Sequence, residues 1–341
     1  MGAINLRENA MPLRYVLQRV GAFFLIIWAA ATINFAVPRL SSVDPVREQM
    51  LQSVSVGGSS AQSMDEVIKS YDKRFGLDQP LYMQLYIYLS SVVHLDLGYS
   101  YRQQLPVLDL IVDRLPATLL LSVTAFVISL GLGILAGAVA SARQGRWSDT
   151  LISLTALIFY ATPLFWLALM AVLLFSVQLN WLPGFGYETV GADYTGLARA
   201  IDILEHLVLP ATTLGLFFMA VYVRMTRASM LEVNTMDFVK TAKAKGLRPG
   251  VIQRRHVLRN AILPVVTLAG LQAGQLVGGA VLIETVFAWP GIGRLMFDAL
   301  SQRDYNLLLG VFVISAAMVL LFNLITDVLY RIVDPRIRVA S

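Results

Sequence analysis

The sequence predicts an all-α protein, a polytopic membrane helix bundle with six transmembrane helices. Two observations carry this prediction. Hydrophobic residues make up 57% of the 341 residues and charged residues only 14%, whereas soluble domains carry about 25% charged residues. The apolar residues also fall in long blocks, and a helix needs about 20 apolar residues in a row to cross the hydrocarbon core. This composition excludes a soluble enzyme.

Six stretches without Asp, Glu, Lys or Arg are long enough to cross a membrane. They run from Val20 to Pro38, Leu115 to Ala142, Thr150 to Tyr187, His206 to Val223, Asn260 to Ile283 and Tyr305 to Thr326. The third stretch is too long for one helix, but the segment from Trp181 to Gly186 is typical of an exit into an interfacial turn. We therefore expect a single helix from it. Kinks are expected where Pro163, Pro210 and Pro264 lie in or near the spans.

Two stretches near the N-terminus have competing interpretations. The first span could be a cleaved signal peptide, yet its apolar run continues as far as Val37, which favours an uncleaved helix. The charge-free stretch from Gln79 to Leu95 places its large apolar residues on one face at helical spacing. We expect an amphipathic helix there that lies on the membrane surface or packs on the bundle, rather than a seventh span.

Basic residues are distributed unevenly between the two sides of the predicted bundle. Seventeen of the 27 Lys and Arg residues lie in the N-terminal segment, the second loop, the fourth loop and the C-terminal tail. Cytoplasmic loops carry an excess of Lys and Arg, so both termini are expected in the cytoplasm. The same bias explains the formal net charge of +5, and nucleic acid is therefore not an expected partner.

The expected layout follows from the spans and this orientation. Residues 1–38 form a cytoplasmic N-terminus and the first transmembrane helix, and residues 39–114 form a large periplasmic loop with the amphipathic helix. Residues 115–332 form a five-helix transmembrane core, and residues 333–341 form a cytoplasmic tail. The core includes a cytoplasmic loop at residues 224–261, which holds nine basic residues. This loop is long for a connection within a bundle.

The chain lacks the residue patterns of several common sites. It has no cysteine, and its three histidines lie far apart in the sequence, so no metal site is expected. No Lys follows a Gly, which excludes the Gly-Lys-Ser/Thr loop that binds ATP phosphates. We identify no catalytic residues, and ATP-driven transport would need its ATP site on another polypeptide. A secondary ion-coupled carrier is the alternative of another class, although it would usually bury more ionisable groups near the midplane.

The fifth span combines small residues with polar ones. Small residues form a stripe that allows close backbone approach, at Gly270, Gly274 and Gly278. Gln272 and Gln275 lie roughly 130° around the helix from the stripe. The helix either lines a translocation path or packs tightly with its glutamines bonded to neighbouring helices. In the second span, Gly133 and Gly137 predict close packing.

Two acidic residues lie in or beside the later spans. Glu284 follows the fifth span and either lines a translocation path or lies at the outer interface. Asp327 lies near the end of the sixth span, and we expect it close to the cytoplasmic interface, paired with Arg331. These carboxylates are too few to indicate an ion-coupled mechanism.

The loop at residues 224–261 has a helix-glycine-helix pattern. The segment from Met236 to Lys245 predicts a short helix, and Gly246 is expected to end it. Arg248 to Gly250 is typical of a turn before a second helix from Val251. An exposed element of this kind could serve as a docking site for a partner protein. The alternative is a loop kept basic only to fix the topology.

This pattern resembles the coupling loop of ATP-binding-cassette (ABC) importer permeases, Glu-Ala-Ala-x3-Gly-x9-Ile-x-Leu-Pro. Gly246 falls on the glycine and Ala242 on the second alanine. Thr241 replaces the first alanine and Lys240 the acidic residue. His256 to Arg259 stands where Ile-x-Leu-Pro is expected. The departures match the form of this loop in the dipeptide and oligopeptide permease branch.

Further segments are similar to the same branch. They are Thr241 to Gly246, His256 to Pro264, Glu284 to Gly293, Arg303 to Tyr305 and Asp334 to Arg338, with Gly76 to Leu81 and Asp96 to Gly98 nearer the N-terminus. Ser42 to Pro45 departs from the branch, which often has Pro-Gly-Asp-Pro there. The resemblance covers nearly the whole chain, and several motifs in the same order make it specific.

The resemblance implies a type I ABC importer permease fold in the bacterial cytoplasmic (inner) membrane. The implied partners are a second homologous permease, two ABC ATPase subunits and a periplasmic or lipid-anchored substrate-binding protein, besides membrane lipid. ATP and Mg would be bound by the ATPases, and no cofactor is expected in this chain. The expected ATPase-coupling residues are Lys240, Thr241, Ala242, Lys243, Ala244, Lys245 and Gly246, and Ala242 is expected to face a pocket on the ATPase.

The resemblance also implies a cargo and a mechanism. The expected cargo is a di- or oligopeptide, and glutathione, nickel chelates or oligosaccharides are alternatives within the same class of importer. The expected pathway-lining residues are Gln272, Gln275 and Glu284. Closure of the ATPases would move the coupling helix as a rigid body and switch the bundle between inward-open and outward-open states.

Overall fold

The structure is a computed structural model, and it describes residues 13–39, 79–100 and 102–333. In these ranges the chain is mostly helical. The helices are α1 Leu13–Arg39, α2 Leu81–Val93, α3 Val107–Ala142, α4 Trp147–Ala161, α5 Leu164–Ala171, α6 Gly196–Val233, α7 Asp237–Ala244, α8 Leu258–Val286, α9 Ile292–Ser301 and α10 Tyr305–Val333. The π-helical segment Val172–Gln178 continues α5, and the turn Pro249–Val251 with the π-helical segment Ile252–Val257 leads into α8. Two short strands, β1 Tyr99–Ser100 and β2 Leu105–Pro106, pair antiparallel.

The apolar helices confirm the predicted membrane bundle. Four helical stretches are long and apolar enough to cross a membrane, namely Val107–Ala142, Gly196–Val233, Pro249–Gly274 and Tyr305–Leu324. A fifth span results if α4 and α5 count together. The described apolar stretch of α1, Phe24–Ala36, is shorter than these. The described residues therefore support four or five spans and do not confirm the count of six.

The third predicted span is not one helix. α4 and α5 meet at an angle of 103°, and the break lies at Thr162 and Pro163. Proline has no backbone N–H and disfavours the helical conformation at the residue before it. Thr162 is accordingly extended, with φ −77° and ψ 130°. The expected exit turn is confirmed, because the helical segment ends at Gln178, just before Trp181.

α6 is longer than the apolar stretch that predicted it. It runs for 38 residues and continues through Pro210 without a break. The fourth loop therefore begins at Asn234 rather than at Arg224. The reason is packing beyond the apolar stretch, since Met230 and Val233 are buried, and burial of one face sustains a helix whose other face carries charges.

Contacts divide the chain into two compact units. One comprises the described residues of Val112–Phe297 and Ile325–Ser341. Its main apolar core joins α3, α6 and α8 with the segment that follows α8, and it includes Leu121, Leu214, Ile283 and Trp289. Burial of these large apolar side chains holds the helices of this unit together.

Glycines bring α3 and α6 into close contact within this unit. A Cβ atom on Gly133 would overlap Tyr222, and one on Gly137 would lie 2.7 Å from the Thr226 Cβ atom. From the other helix, a Cβ on Gly215 would lie 2.7 Å from Ile128. No side chain can be added at these positions without moving a helix, so the packing interpretation of Gly133 and Gly137 is confirmed.

The other unit comprises the described residues of Met1–Ile111 and Asp298–Leu324. α2 is the predicted amphipathic helix, and its 13 residues are too few to cross a membrane. It packs on α1, where the ring centroids of Phe35 and Tyr88 lie 5.7 Å apart. Asn34 on α1 donates a hydrogen bond of 2.8 Å to the Leu309 carbonyl on α10. These contacts join three helices of the unit.

The segment from Arg303 to Tyr305 has a structural role in the same unit. Asp304 is buried and accepts hydrogen bonds from the Ser100 hydroxyl and from the Leu307 backbone N–H, the latter at 3.2 Å. Backbone N–H groups in the first turn of a helix have no partner within it. Asp304 therefore caps α10 and fixes β1 beside its start.

Candidate functional site

The fourth loop contains a short helix with a defined start and end. α7 spans Asp237–Ala244, inside the segment predicted to be helical. The Gly246 N–H donates a hydrogen bond of 3.0 Å to the Lys243 carbonyl, and Gly246 has φ +74°. Glycine adopts this left-handed conformation at low cost. Gly246 therefore ends α7, as its place in the pattern predicts.

One face of α7 is buried in this chain. Val239 and Ala242 lie three residues apart on that face and are 0% and 5% exposed. They pack with Met230 and Val233 from the end of α6, with Ile252 and Val257 from the π-helical segment before α8, and with Ala261 in α8. The expectation that Ala242 faces a pocket on a partner is therefore wrong, because its methyl group lies inside the chain's own core.

The other face of α7 is open to solvent. The exposed positions are Lys240, Thr241, Lys243, Ala244, Lys245 and Gly246. Lys240 lies 2.8 Å from Asp237, but both side chains are exposed, and such a pair contributes little to stability. All the predicted coupling residues except Ala242 are thus available to a partner.

Exposed apolar side chains lie in and beside α7. Met236 and Phe238 are each 41% exposed, and Leu247 is 40% exposed. Basic residues surround them in the sequence, and an apolar patch with a polar rim is typical of a protein docking site. The sequence pattern did not identify these three residues as exposed, because their exposure depends on how α7 packs on the rest of the chain.

α7 is attached to two long helices rather than hanging on a free loop. Beside the apolar cluster under it, Gln253 donates a hydrogen bond of 2.9 Å to Asn234. This bond joins the residue after α6 to the segment that leads into α8. Packed interiors transmit displacement because they leave little free space. A force on α7 therefore moves the end of α6 and the start of α8.

The three glycines of the predicted small-residue stripe on α8 are not all packed. Gly270 and Gly274 are buried, whereas Gly278 is exposed, and a Cβ on it would meet no atom within 4 Å. Gln272 is half-buried. The side chains of Gln275, Asp327 and Arg331, and all of residues 1–12, 40–78, 101 and 334–341, lie outside the part that the structure describes. Expectations for them stay predictions.

Glu284 lies in the interior and is 0% exposed. Its carboxylate accepts hydrogen bonds from the Thr118 hydroxyl at 2.8 Å and from the Arg294 backbone N–H at 3.0 Å. Thr118 in turn accepts one from the Ile292 N–H at 2.8 Å. Carboxylates are stabilised at helix N-termini, where backbone N–H groups are free. Within this chain Glu284 caps α9 instead of lining a path or lying at an interface, which corrects both expectations.

The rest of the segment from Glu284 to Gly293 encloses this carboxylate. A Cβ on Gly291 would overlap the Glu284 carboxyl group, and one on Gly293 would lie 2.6 Å from the backbone of α8. Trp289 is fully buried and donates its indole N–H to the Ala117 carbonyl at 2.9 Å. The segment therefore closes the end of α8 onto α3.

Apolar helices long enough to span a membrane, together with a short helix that is packed on one face and exposed on the other, are features of a multi-pass membrane protein with a surface open to a partner. Residues 129–339 match the model of binding-protein-dependent transport system inner membrane components. Residues 12–122 match the N-terminal model of binding-protein-dependent transport system membrane components. The chain belongs to this family and is a transport subunit.

Known relatives match this chain over nearly its whole length. Dipeptide transport system permease protein DppB of Escherichia coli strain K12 is 38% identical, covering 96% of this chain and 99% of that protein. Di/tripeptide transport system permease protein DppB of Pseudomonas aeruginosa strain UCBPP-PA14 is 36% identical over 96% of this chain and 99% of its own. Oligopeptide transport system permease protein AppB of Bacillus subtilis strain 168 is 36% identical, covering 95% and 98%. The resemblance to the dipeptide and oligopeptide permease branch is confirmed.

A solved structure shares the fold. A chain of the MetNI methionine ABC transporter in an inward-facing conformation superposes with a TM-score of 0.54 at 19% identity. The match covers 66% of this chain and 96% of that one. The predicted ABC importer permease fold is confirmed by this likeness together with the family match.

Proposed function

We propose that this chain is a permease subunit of an ATP-driven, binding-protein-dependent importer for di- or oligopeptides and forms half of its translocation pathway. The observation that carries the proposal is the match to relatives that are 36% and 38% identical over nearly their whole length and are named as permeases for dipeptides, di/tripeptides or oligopeptides. α7 adds a physical means of coupling, because it is seated on two long helices and open on its other face.

The proposed assembly contains a second homologous permease, two ABC ATPase subunits and a periplasmic or lipid-anchored substrate-binding protein. ATP and Mg belong to the ATPases, since this sequence has no phosphate-binding loop, and this chain carries no cofactor. Both termini and α7 lie on the cytoplasmic side of the inner membrane, an orientation that the distribution of basic residues supports.

The proposed coupling works through the open face of α7. Thr241 and Ala244 lie opposite the buried pair Val239 and Ala242 around the helix, so they form the centre of the surface that meets an ATPase. When the ATPases close on ATP, α7 is displaced with the ends of α6 and α8. The bundle then exchanges between inward-open and outward-open states, and the difference in contacts with the ATPases selects one of them.

Uptake by the assembled complex tests the cargo. Proteoliposomes with the complete complex should accumulate a labelled dipeptide only when ATP and the binding protein are both supplied. Unlabelled glutathione, a nickel chelate and an oligosaccharide serve as competitors, and competition by one of them without competition by peptides would reassign the cargo. Uptake by vesicles that hold this chain alone, driven by a proton or sodium gradient, would instead establish an ion-coupled carrier.

The orientation has its own test. A phosphatase reporter that is active only outside the cytoplasm should be silent when fused after Ser341 and active when inserted near Asp65. A reporter that fluoresces only in the cytoplasm should give the opposite pattern and controls for expression. The reverse activities would place α7 on the side without ATP and would overturn its coupling role.

Gly246→Val is expected to reduce uptake through the backbone alone. No atom lies within 4 Å of an added Cβ, so the Cβ itself meets no clash, and the left-handed conformation costs valine about 1–2 kcal/mol. The backbone at this position relaxes to relieve the strain, and this changes the orientation of α7 relative to its ATPase. Asparagine tolerates this conformation, so Gly246→Asn is the matched control and should retain most of the uptake. Equal uptake by Gly246→Val, Gly246→Asn and the wild type, at equal expression, would contradict the role of this conformation.

A further inference from the structure

A partly buried ion pair joins α4 to α6 near α7. The Arg227 guanidinium donates two hydrogen bonds to the Asp149 carboxylate, at 2.7 and 2.8 Å. Asp149 also accepts one from the Gly145 backbone N–H at 3.1 Å. The side chain of Asp149 is 6% exposed and that of Arg227 33%. This is a bidentate, partly buried pair, whose geometry is more restricted than that of a fully exposed pair.

The ion pair lies close along α6 to the residues that pack against α7. Arg227 lies on the same helix as Met230 and Val233, one to two turns away from them, and those two residues form the floor under α7. α6 therefore carries the α7 seat and the Arg227 guanidinium on one stretch of helix. Asp149 lies in the first turn of α4, so this pair fixes α4 to the part of α6 that moves with α7.

Apolar side chains also pack between α4 and α6. Ala156 on α4 packs with Met219, Ala220 and Val223 on α6. Apolar packing is non-directional, so by itself it does not select one direction of approach between the two helices. A guanidinium that donates a hydrogen bond to each carboxylate oxygen fixes the distance between the two helices and their direction of approach at that point. The Asp149–Arg227 pair is therefore a directional contact that adds to this packing in setting the register of α4 on α6.

The far end of α4 is the bent junction. α4 ends at Ala161, and after Thr162 and Pro163 the chain turns by 103° into α5. Leu164 and Ala168 of α5 belong to the main core of the unit. A shift of α4 along α6 therefore changes the angle or the strain at this junction, while α5 stays anchored.

We propose that Asp149 and Arg227 are positioning residues that transmit the displacement of α7 through α6 to α4 and hence to the bent span. This inference rests on the proposed function, in which α7 receives its displacement from an ATPase. With the pair intact, α4 follows the end of α6. Without it, α6 slides over α4, and ATP hydrolysis proceeds without opening the path for cargo.

The variant that tests the inference removes both charges at once. Removal of one partner leaves a buried charge without compensation and destabilises the protein, whereas removal of both avoids that penalty. In Asp149→Asn with Arg227→Met, the asparagine still accepts from Gly145, and the methionine keeps the apolar stem of the arginine. The matched control is Glu188→Gln with Arg199→Met, which removes another two-pronged pair, at 2.7 and 3.4 Å, that is exposed.

The assembled complex of the Asp149/Arg227 double variant should hydrolyse ATP as the wild type does but import less cargo. Peptide imported per ATP should fall about fivefold or more, the lower end of measured couplings between sites. The Glu188/Arg199 double variant should keep the wild-type ratio. A wild-type ratio in the Asp149/Arg227 variant, or a loss of uptake only in proportion to lost complex, would overturn the inference.

A second readout is independent of cargo. The chain has no cysteine, so Ala156→Cys with Ala220→Cys reports the register of α4 on α6 through the rate of disulfide formation. A non-hydrolysable ATP analogue should leave this rate unchanged when the ion pair is intact and change it about fivefold or more in the double variant. An unchanged rate in both backgrounds overturns the inference. If the ATP analogue changes the rate only in the double variant, but the wild-type complex imports no peptide, the proposed function fails and the register role stands.

Discussion

Ala244→Trp is expected to lower peptide uptake by about tenfold or more, because the added indole prevents close contact at the centre of a docking face, where lost contacts cost ~2 kcal/mol or more. Ala244 is exposed on the open face of α7, where its small side chain allows close approach of a partner. An indole there holds the ATPase away without touching the core of this chain. Uptake, recovery of ATPase with the purified chain, and the amount of chain in the membrane are measured together.

Ala242→Trp is the matched comparison, because it is the same substitution two residues earlier on the same short helix. Ala242 is 5% exposed and packs against α6 and α8. Overpacking by the indole should lower the free energy of unfolding by ~1–3 kcal/mol, so less folded chain should be recovered. The two variants thus fail in different ways, one in docking and one in folding. Wild-type uptake by Ala244→Trp at wild-type abundance would refute the coupling role of the open face.

The sequence predicted α7 and its end well, because both depend on local chemistry. A glycine after a helical run meets a backbone requirement that no distant residue alters. The direction in which Ala242 points depends on packing instead. Val239 and Ala242 share a face by their spacing, which was a usable signal, but the sequence does not show whether this face meets its own chain or a partner.

The spans were predicted in type and place but not in shape. A run without charges reports only that lipid tolerates the segment, so the stretch from Thr150 to Tyr187 could not show that its helix breaks at Pro163. The same reasoning ended the fourth span at Val223, although α6 continues to Val233. Charged residues mark where the apolar environment ends, whereas helices end where packing and capping end them.

Glu284 shows the limit of reading a carboxylate beside a span. In the sequence it is one acidic residue after an apolar helix, and exposure is the default for such a group. In the structure its partners come from far along the chain, since Thr118 lies on α3 and Arg294 on α9. Only the closure of the segment after α8 brings these donors to one carboxylate, and no local pattern encodes that closure.

Glu284→Leu is expected to destabilise the chain by about 2–6 kcal/mol, because it leaves two buried donors, the Thr118 hydroxyl and the Arg294 N–H, without an acceptor at about 1–3 kcal/mol each. The midpoint of thermal unfolding in detergent, measured at a fixed scan rate, should fall by about 5 °C or more. Glu284→Gln keeps one acceptor oxygen and should fall between the leucine variant and the wild type. Glu205→Leu makes the same change at an exposed position and should leave the midpoint near the wild-type value.

The same variants separate the capping role of Glu284 from a role in the pathway. A cap acts through folding, so uptake by each variant should follow the amount of folded complex, and cargo affinity should be unchanged in the protein that remains. A pathway residue acts on cargo, so Glu284→Leu would then unfold at the wild-type temperature and still lose uptake. That pattern would restore the pathway assignment, and it would require Glu284 to leave its interior site when the bundle changes state.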